Sequence, residues 1–287
     1  MYEITITNTN THEALTFNEL GGQYRIKEVE GLGPVTADVV TDTLALRDGA
    51  LYNSAKLRTR QLNIGFVILT EPEAGRLKAY RVLAPRVPLE IRYKSDTLDV
   101  FAIGYITSVP VQHFAMINTL TASIICPDPY WSGMQQMVNE MGTVEPKFHF
   151  EFYSETGTPS LVFGSVDLLA TLYIENPSGI ETGLTIELYF RDATTSPTIY
   201  NVDTQEQIAL NLTTQAGDLI TITTYTGEKT ATLTRAGVTT SIIDKVVQTS
   251  TWLQLGPTGS MFGKTYAGGS SGDFDVTFYH RDKYLGV

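Results

Sequence analysis

The residues best equipped for chemistry in this chain are its single cysteine, its four histidines and the serines of Gly268-Gly-Ser-Ser-Gly272. The last segment matches the G-x-S-x-G pattern, in which a strained strand-to-helix turn exposes a serine nucleophile. Here the residues that follow, Asp273–His280, alternate in polarity as a strand does, so a hairpin loop is expected instead. Cys126 closes the alternating run Leu120–Cys126, which predicts a buried, unreactive thiol. His12, His113, His149 and His280 are scattered, with no pair at the i,i+4 spacing of a zinc helix and no Cys/His cluster. His149 and Glu151 would share one strand face, but no third ligand stands near them in sequence. Gly31-Leu-Gly33 lacks the third glycine and the helix of a dinucleotide fingerprint. Trp252, Tyr225 and Tyr266 could stack on a sugar, although aromatic residues on short strands usually belong to a core. The expectation is a chain with no catalytic residue, no cofactor and no metal, and therefore not an enzyme.

The elements that would position these residues are mostly strands. Tyr2, Ile4 and Ile6 alternate with Glu3, Thr5 and Thr7, and Tyr24–Val29 repeats the pattern. Leu62, Ile64, Phe66 and Ile68 define another strand, and Val87–Tyr93, Leu98–Val109 and Val111–Ile117 follow it. Thr70-Glu-Pro-Glu73 reads as a helix start with a threonine cap and proline just inside, and Pro85 stops the run. Between Gly31 and Arg60 the periodicity is weak, and this span is expected to be an irregular arm, although Asp48-Gly49 could turn a hairpin within it. Pro127–Gly142 reads as a junction: two prolines interrupt any ladder, and Met134–Gly142 lacks β-branched alternation. Beyond it come short, threonine-rich strands punctuated by glycine. They include Leu184–Phe190, Leu219–Tyr225, Lys229–Thr234 and Phe274–His280. The fold class is thus mainly β. An N-terminal sandwich-like or barrel-like domain with one helix, residues 1–133, precedes a β-sandwich of jelly-roll or lectin type, residues 134–287.

Composition narrows the partners. With 42% hydrophobic and 18% charged residues the chain is an ordinary folded protein, and one cysteine excludes an intramolecular disulfide framework. No apolar run is long enough to span a bilayer, and the first residues enter a strand directly instead of a signal segment, so synthesis in the cytoplasm without membrane insertion is expected. The net charge of −11 is concentrated in residues 131–287, which carry −9, against −2 for residues 1–130. That balance disfavours a phosphate-binding face and is compatible with a surface that repels nucleic acid.

Taken in order, several short motifs resemble the distal tail proteins of bacteriophages with long, non-contractile tails. They are Glu30-Gly-Leu-Gly-Pro34, Arg47-Asp-Gly49, Leu57-Arg-Thr-Arg60, the single helix, and Cys126-Pro-Asp-Pro-Tyr-Trp131 in the first half. In the second half they are Ala216-Gly-Asp-Leu-Ile-Thr-Ile222, Thr251-Trp-Leu-Gln-Leu255 and Tyr284-Leu-Gly286. The resemblance implies a hexameric ring formed by the first domain and a galectin-like second domain. It also implies a place at the tail tip between the tail tube protein and the tail-associated, baseplate or receptor-binding proteins. DNA would pass through such a ring without specific contacts. A galectin-like carbohydrate-binding module is the alternative. Within the arm, about residues 31–60, the candidate intersubunit residues are Leu32, Val39, Leu44, Leu46, Arg47, Leu51, Arg58 and Arg60. The leucines and valine would gain apolar partners on a neighbour, and the arginines would meet acids there.

Overall fold

Ile4 and Ile6 are buried while Glu3, Thr5 and Thr7 are half-exposed, and the same alternation recurs in strand after strand. Such a pattern builds sheets with one dry face. The computed structural model describes residues 2–18, 22–43, 48–110, 119–141, 143–146, 164–167, 171–269 and 274–287. They form two compact units, one of residues 1–135 with 283–287 and one of residues 136–282.

The first unit contains β1 (Glu3–Asn8), β2 (Ala14–Asn18), β3 (Tyr24–Glu30), β4 (Ala37–Thr43), β5 (Ala50–Leu57) and β6 (Arg60–Ile68). The helix α1 (Pro72–Val82) follows, then β7 (Leu89–Lys94), β8 (Asp99–Ser108), β9 (Thr119–Cys126) and β10 (Trp131–Gly133). Seven of these strands close a barrel in the order β8, β7, β1, β2, β3, β6, β9 and back to β8. The pairs are antiparallel except β2 with β3, which run parallel and meet only where Phe17 faces Tyr24. An aromatic cluster sits at that seam, with the Phe17 and Phe66 ring centroids 4.9 Å apart and Tyr24 edge-on to both. The short closing strand Lys283–Tyr284 pairs with β10.

Helix α1 turns Gly75, Ala79 and Val82 inward, the i, i+4, i+7 spacing of a buried stripe. A side chain at Gly75 would meet Ile68 Cγ2 at 2.7 Å, so glycine permits the close approach. Tyr24 donates its hydroxyl to the Gly75 carbonyl at 2.9 Å, and buried Asn8 donates to the Val82 carbonyl at 3.1 Å. Proline stands at the first helical position as expected, but the cap is Glu71, left-handed at φ 47°, with no side-chain cap bond. Thr70 therefore does not cap the helix.

The second unit is a sandwich of antiparallel strands. β11 (Met137–Met141) edges a six-stranded sheet whose next members are Phe274–His280, Thr185–Phe190, Leu219–Thr223, Thr230–Arg235 and Val238–Ser241. A four-stranded sheet runs in the order Thr171–Ile174, Ser260–Thr265, Thr198–Asn201, Gln207–Ala209. Phe262 of the smaller sheet stacks on Phe278 of the larger at 5.0 Å, which locks the two layers together. The turn before Leu219 is fixed by Asp218, which accepts from Arg235 Nε at 2.8 Å, from Arg235 Nη2 at 2.6 Å and from the Gln215 amide at 2.8 Å.

Three expectations change. The residues read as a structureless junction contain β11, which pairs with Phe274–His280; its alternation is short and polar because it is an exposed edge. Residues 283–287 do not belong with the second sandwich but return to the first unit. The span between Gly31 and Arg60 is no irregular loop: β4 and β5 pair along their whole length. The strand expected over Val111–Ile117 lies outside the described residues.

The Arg235 bond holds the Asp218 carboxyl below the usual carboxylate range. A depressed folded-state value means that the contribution is full above about pH 4 and is lost as the pH falls through the folded value. Asp218→Asn should therefore cost the second unit about 1–3 kcal/mol at neutral pH and flatten the acid limb of its stability curve. Denaturant titrations of both proteins between pH 2 and pH 7 check this.

Candidate assembly surface

The expected chemistry can be placed first. Cys126 is fully buried and burial pushes its thiol up to about 12, so at neutral pH it is protonated. Gly268 and Gly269 pair with Thr194 and Thr195, and the next described element is the strand Phe274–His280, not the helix a nucleophile elbow needs. Ser270 and Ser271 lie outside the described residues, as do His113, His149 and Glu151. Among the described residues no three His, Cys, Asp or Glu side chains gather as a metal site. Trp252 packs against the sandwich core with Lys229 Nζ 5.8 Å from its ring centroid, and Tyr225 is half-buried. Tyr266 is the exposed member of the three.

What the first unit does present is the β4–β5 hairpin. Val39 faces Ala55, Thr41 faces Tyr52 and Asp42 faces Leu51, with Asn53 bulged out between the Val40–Ser54 and Thr41–Tyr52 pairs. Every described residue from Ala37 to Lys56 is exposed, and among the described residues the two strands pack chiefly on each other. Strands of 7 and 8 residues reach about 25 Å from their base at roughly 3.4 Å per residue. The register sorts the side chains by face. Ala37, Val39, Thr41, Tyr52, Ala55 and Leu57 share one uncharged face, whereas Asp38, Asp42 and Lys56 stand on the other with Val40 and Leu51. An isolated two-stranded hairpin is marginally stable in water. Val39, Val40, Leu51 and Tyr52, each more than half exposed, are the apolar surface that a partner would cover.

The hairpin leaves the barrel through a cage of carbonyl groups around Arg60. Nε and Nη2 donate to the Pro129 carbonyl at 3.0 and 2.7 Å, Nη1 to Gly31 and Gly33 at 2.5 and 2.8 Å, and Nη2 also to Leu285 at 2.7 Å. The guanidinium lies 5.1 Å from the Trp131 ring centroid, and the indole N–H donates to the Leu32 carbonyl at 3.3 Å. Burial draws the Arg60 pKa down, yet the full set of donors is used and the cation is retained. Gly31 has φ +90°, and a Cβ there would come within 1.9 Å of the Gln61 carbonyl oxygen, so only glycine lets the chain turn out at this point.

The candidate interface residues thus fall into three groups. Val39 and Leu51 are on the hairpin and exposed; Arg58 is exposed at its base, where Nε donates to Asp38 at 2.8 Å and holds that carboxyl low. Leu32 and Arg60 are not on the arm: Leu32 packs half-buried against the barrel core, and Arg60 is fully buried in its cage, with no guanidinium left for an acid on a neighbour. Leu44, Leu46 and Arg47 lie outside the described residues. Sequence reasoning passed over Val40 and Tyr52. For Tyr52 the signal existed, since Asp48-Gly49 centres two runs of similar length whose facing positions are uncharged.

Comparison with known proteins follows from this geometry. Residues 178–284 match the family model described as siphovirus-type tail component, C-terminal domain. No curated protein sequence matches. Among solved structures, the chain is similar to the SPP1 Dit protein, described as a paradigm of the hub adsorption apparatus in phages that infect Gram-positive bacteria. The TM-score is 0.69 at 13% identity, over 98% of this chain and 99% of that one. It is also similar to a chain of the phage P2 baseplate in its activated conformation with calcium, with TM-score 0.56, 12% identity and full coverage of both chains. The strontium form of that baseplate gives 0.57, 12% and 98% of each.

Because the hairpin side chains make no buried contact within the subunit, Val39→Ser with Tyr52→Ser should change the stability of the dilute subunit by less than about 0.5 kcal/mol. Arg60→Met should cost the first unit about 3–5 kcal/mol, since four carbonyls lose their donors. Urea titration of the two variants gives the contrast.

Proposed function

We propose that this chain, whose residues 178–284 match the model of a siphovirus-type tail component domain, is a distal tail protein: a structural hub at the tip of a long, non-contractile phage tail. The observation that carries the reading is the hairpin, an exposed element with apolar side chains on both faces that stay uncovered among the described residues. A contact that such an arm makes with the next copy is head-to-tail, and contacts of that kind either close into a ring or run on as a filament. A ring of six through the first unit is the arrangement that suits a tail tip. Its neighbours would be the tail tube protein on one side and the tail-associated or baseplate hub and receptor-binding proteins on the other. DNA would pass through the opening without specific contacts. The protein would be made in the host cytoplasm and reside in the virion, and its work would be mechanical connection with no reaction of its own. The likeness in fold to a tail hub and a baseplate chain along the whole length supports the reading, as does the family match in the second unit.

A galectin-like carbohydrate-binding role for the second unit is the weaker reading. Of the three aromatic candidates only Tyr266 is exposed, while Trp252 is packed on the core with Lys229 against its ring and Tyr225 is half-buried, so the three do not form one open platform.

Light scattering and negative-stain imaging of the purified protein should give a mass of six copies and a ring with a central opening. A protein that stays monomeric at every concentration, and with its tail-tube and baseplate partners present, would exclude the hub. Glycan-array binding by that monomer would favour the module.

A further inference from the structure

The second unit buries an ionisable pair that its sandwich leaves without partners. Along the strand Phe274–His280 every second side chain is buried, and after Phe274, Val276 and Phe278 the fourth is His280, 1% exposed. Neither of its ring nitrogens has a hydrogen-bond partner among the described residues, and the same holds for the buried Oδ1 of Asp282. His280 Nε2 and Asp282 Oδ1 stand 3.9 Å apart, beyond a hydrogen bond but near enough to attract once the ring is charged. Buried polar groups are nearly always paired, so orphan atoms gathered in one place call for a reason.

Their place in the fold supplies one. His280 faces Met137 across the ladder, the rung that begins β11 and ends its neighbour. The chain passes between the two units at residues 135–136 and again at 282–283, and in sequence this rung is the nearest of the second unit's to both passages. It is lightly held: β11 is an exposed edge, and beyond the rung Thr182 donates its hydroxyl to the Arg281 carbonyl at 3.3 Å.

We propose that His280 is a proton-operated latch on this rung: neutral, it keeps Met137–Met141 zipped to the strand Phe274–His280, and protonated, it lets that end of the sandwich open. Burial draws its pKa below the ordinary value, against the opposing pull of the Asp282 carboxylate. The surrounding charges leave that sign in place. Met137 is uncharged, and Glu140 of β11 is exposed. Glu187 of the neighbouring strand accepts from the Tyr279 hydroxyl on the opposite face of the sheet. Arg281 and Glu228 act on Tyr225, Glu181 is exposed, and Lys283 reaches Asp128 at 3.4 Å. Asp282 is thus the charge the ring feels. A histidine with a depressed folded-state value is neutral, open or closed, well above about pH 6.5. As the pH falls below that, the open form takes the proton first, and closure weakens until the folded value is passed. The Asp218 contribution fades only below about pH 4, so the two effects occupy different ranges.

Proton NMR of the full chain reads the ring directly, its signal identified by its loss in His280→Gln. The signal should titrate below about 6.5, and Asp282→Asn should lower it further by removing the charge that raises it. Amide exchange over residues 137–141 and 274–282, compared at pH 7.5 and pH 5 and corrected for intrinsic rates, should show protection falling several-fold on acidification. The fall should not exceed about thirtyfold, the extent to which an ordinary histidine is protonated at pH 5. His280→Gln, neutral at both pH values, should abolish the fall, and Asp282→Asn, which keeps the ring, should enlarge it. Should the glutamine variant not fold, the Asp282→Asn comparison still decides. A ring titrating at or above 6.5, with slower exchange at pH 5, would mean that Asp282 captures the charged ring and acid tightens the rung, which overturns the latch. Equal loosening in the native chain, His280→Gln and Asp282→Asn would assign the effect to other groups and overturn it too.

Discussion

The first unit depends on one buried cation. Arg60 begins β6, lies opposite Cys126 in the barrel wall, and ties together three stretches remote in sequence: the turn-out at Gly31–Gly33, the Pro129 carbonyl before β10, and Leu285 near the chain's end. The Gly31, Gly33, Pro129 and Leu285 carbonyls all lie outside the named strands, and Pro34 and Pro129 carry no amide for a ladder to use. A planar guanidinium with five donors meets that need where lysine, a point donor, would not. Trp131 closes one side of the cage with its ring and donates to Leu32. A buried cation held only by carbonyls is costly to desolvate. It persists because losing it would orphan several acceptors at once.

That cage matters for what projects from it. The hairpin emerges where Gly31 turns the chain out, with Thr36 accepting from the Arg58 amide at 3.0 Å to continue the ladder to its base. A long unpacked hairpin contributes little to the stability of its own subunit, and ordering it costs conformational entropy that its own contacts barely offset. A rigid root lowers that cost by fixing the direction of the arm before any partner arrives. Preorganisation of this sort raises affinity without adding contacts. The division of labour within residues 1–135 follows: barrel and cage supply stability, and the arm holds its apolar residues exposed.

Much of this was legible in the sequence, and the exceptions have physical causes. Strands with one buried face, such as Leu62–Ile68 and Phe274–His280, announce themselves because alternation reports burial. The hairpin does not, because a ribbon exposed on both faces has no reason to alternate; Val39 and Val40 stand side by side in it. Arg60 was expected on a neighbour's surface, since sequence marks it only as one of two arginines at a strand start, and its carbonyl partners lie up to 225 residues away. Likewise β11 was hidden by its edge position, and the return of residues 283–287 to the first unit is set by pairing with β10, which no local pattern encodes. Order along the chain carried the resemblance to tail proteins better than any single motif, and the motifs have structural grounds. Gly31 turns out the arm, Arg60 and Trp131 build the cage, and Asp218 fixes a turn in the sandwich.

The central claim is that the hairpin is a preformed arm completed by another copy. Amide hydrogen exchange over residues 37–57, compared between dilute subunits and assembled protein, tests it most directly. The account predicts fast exchange in the subunit and slow exchange on assembly, approaching that of the neighbouring barrel strand β6, with the second unit unchanged. Equally fast exchange in both states, while the protein is demonstrably assembled, would contradict it.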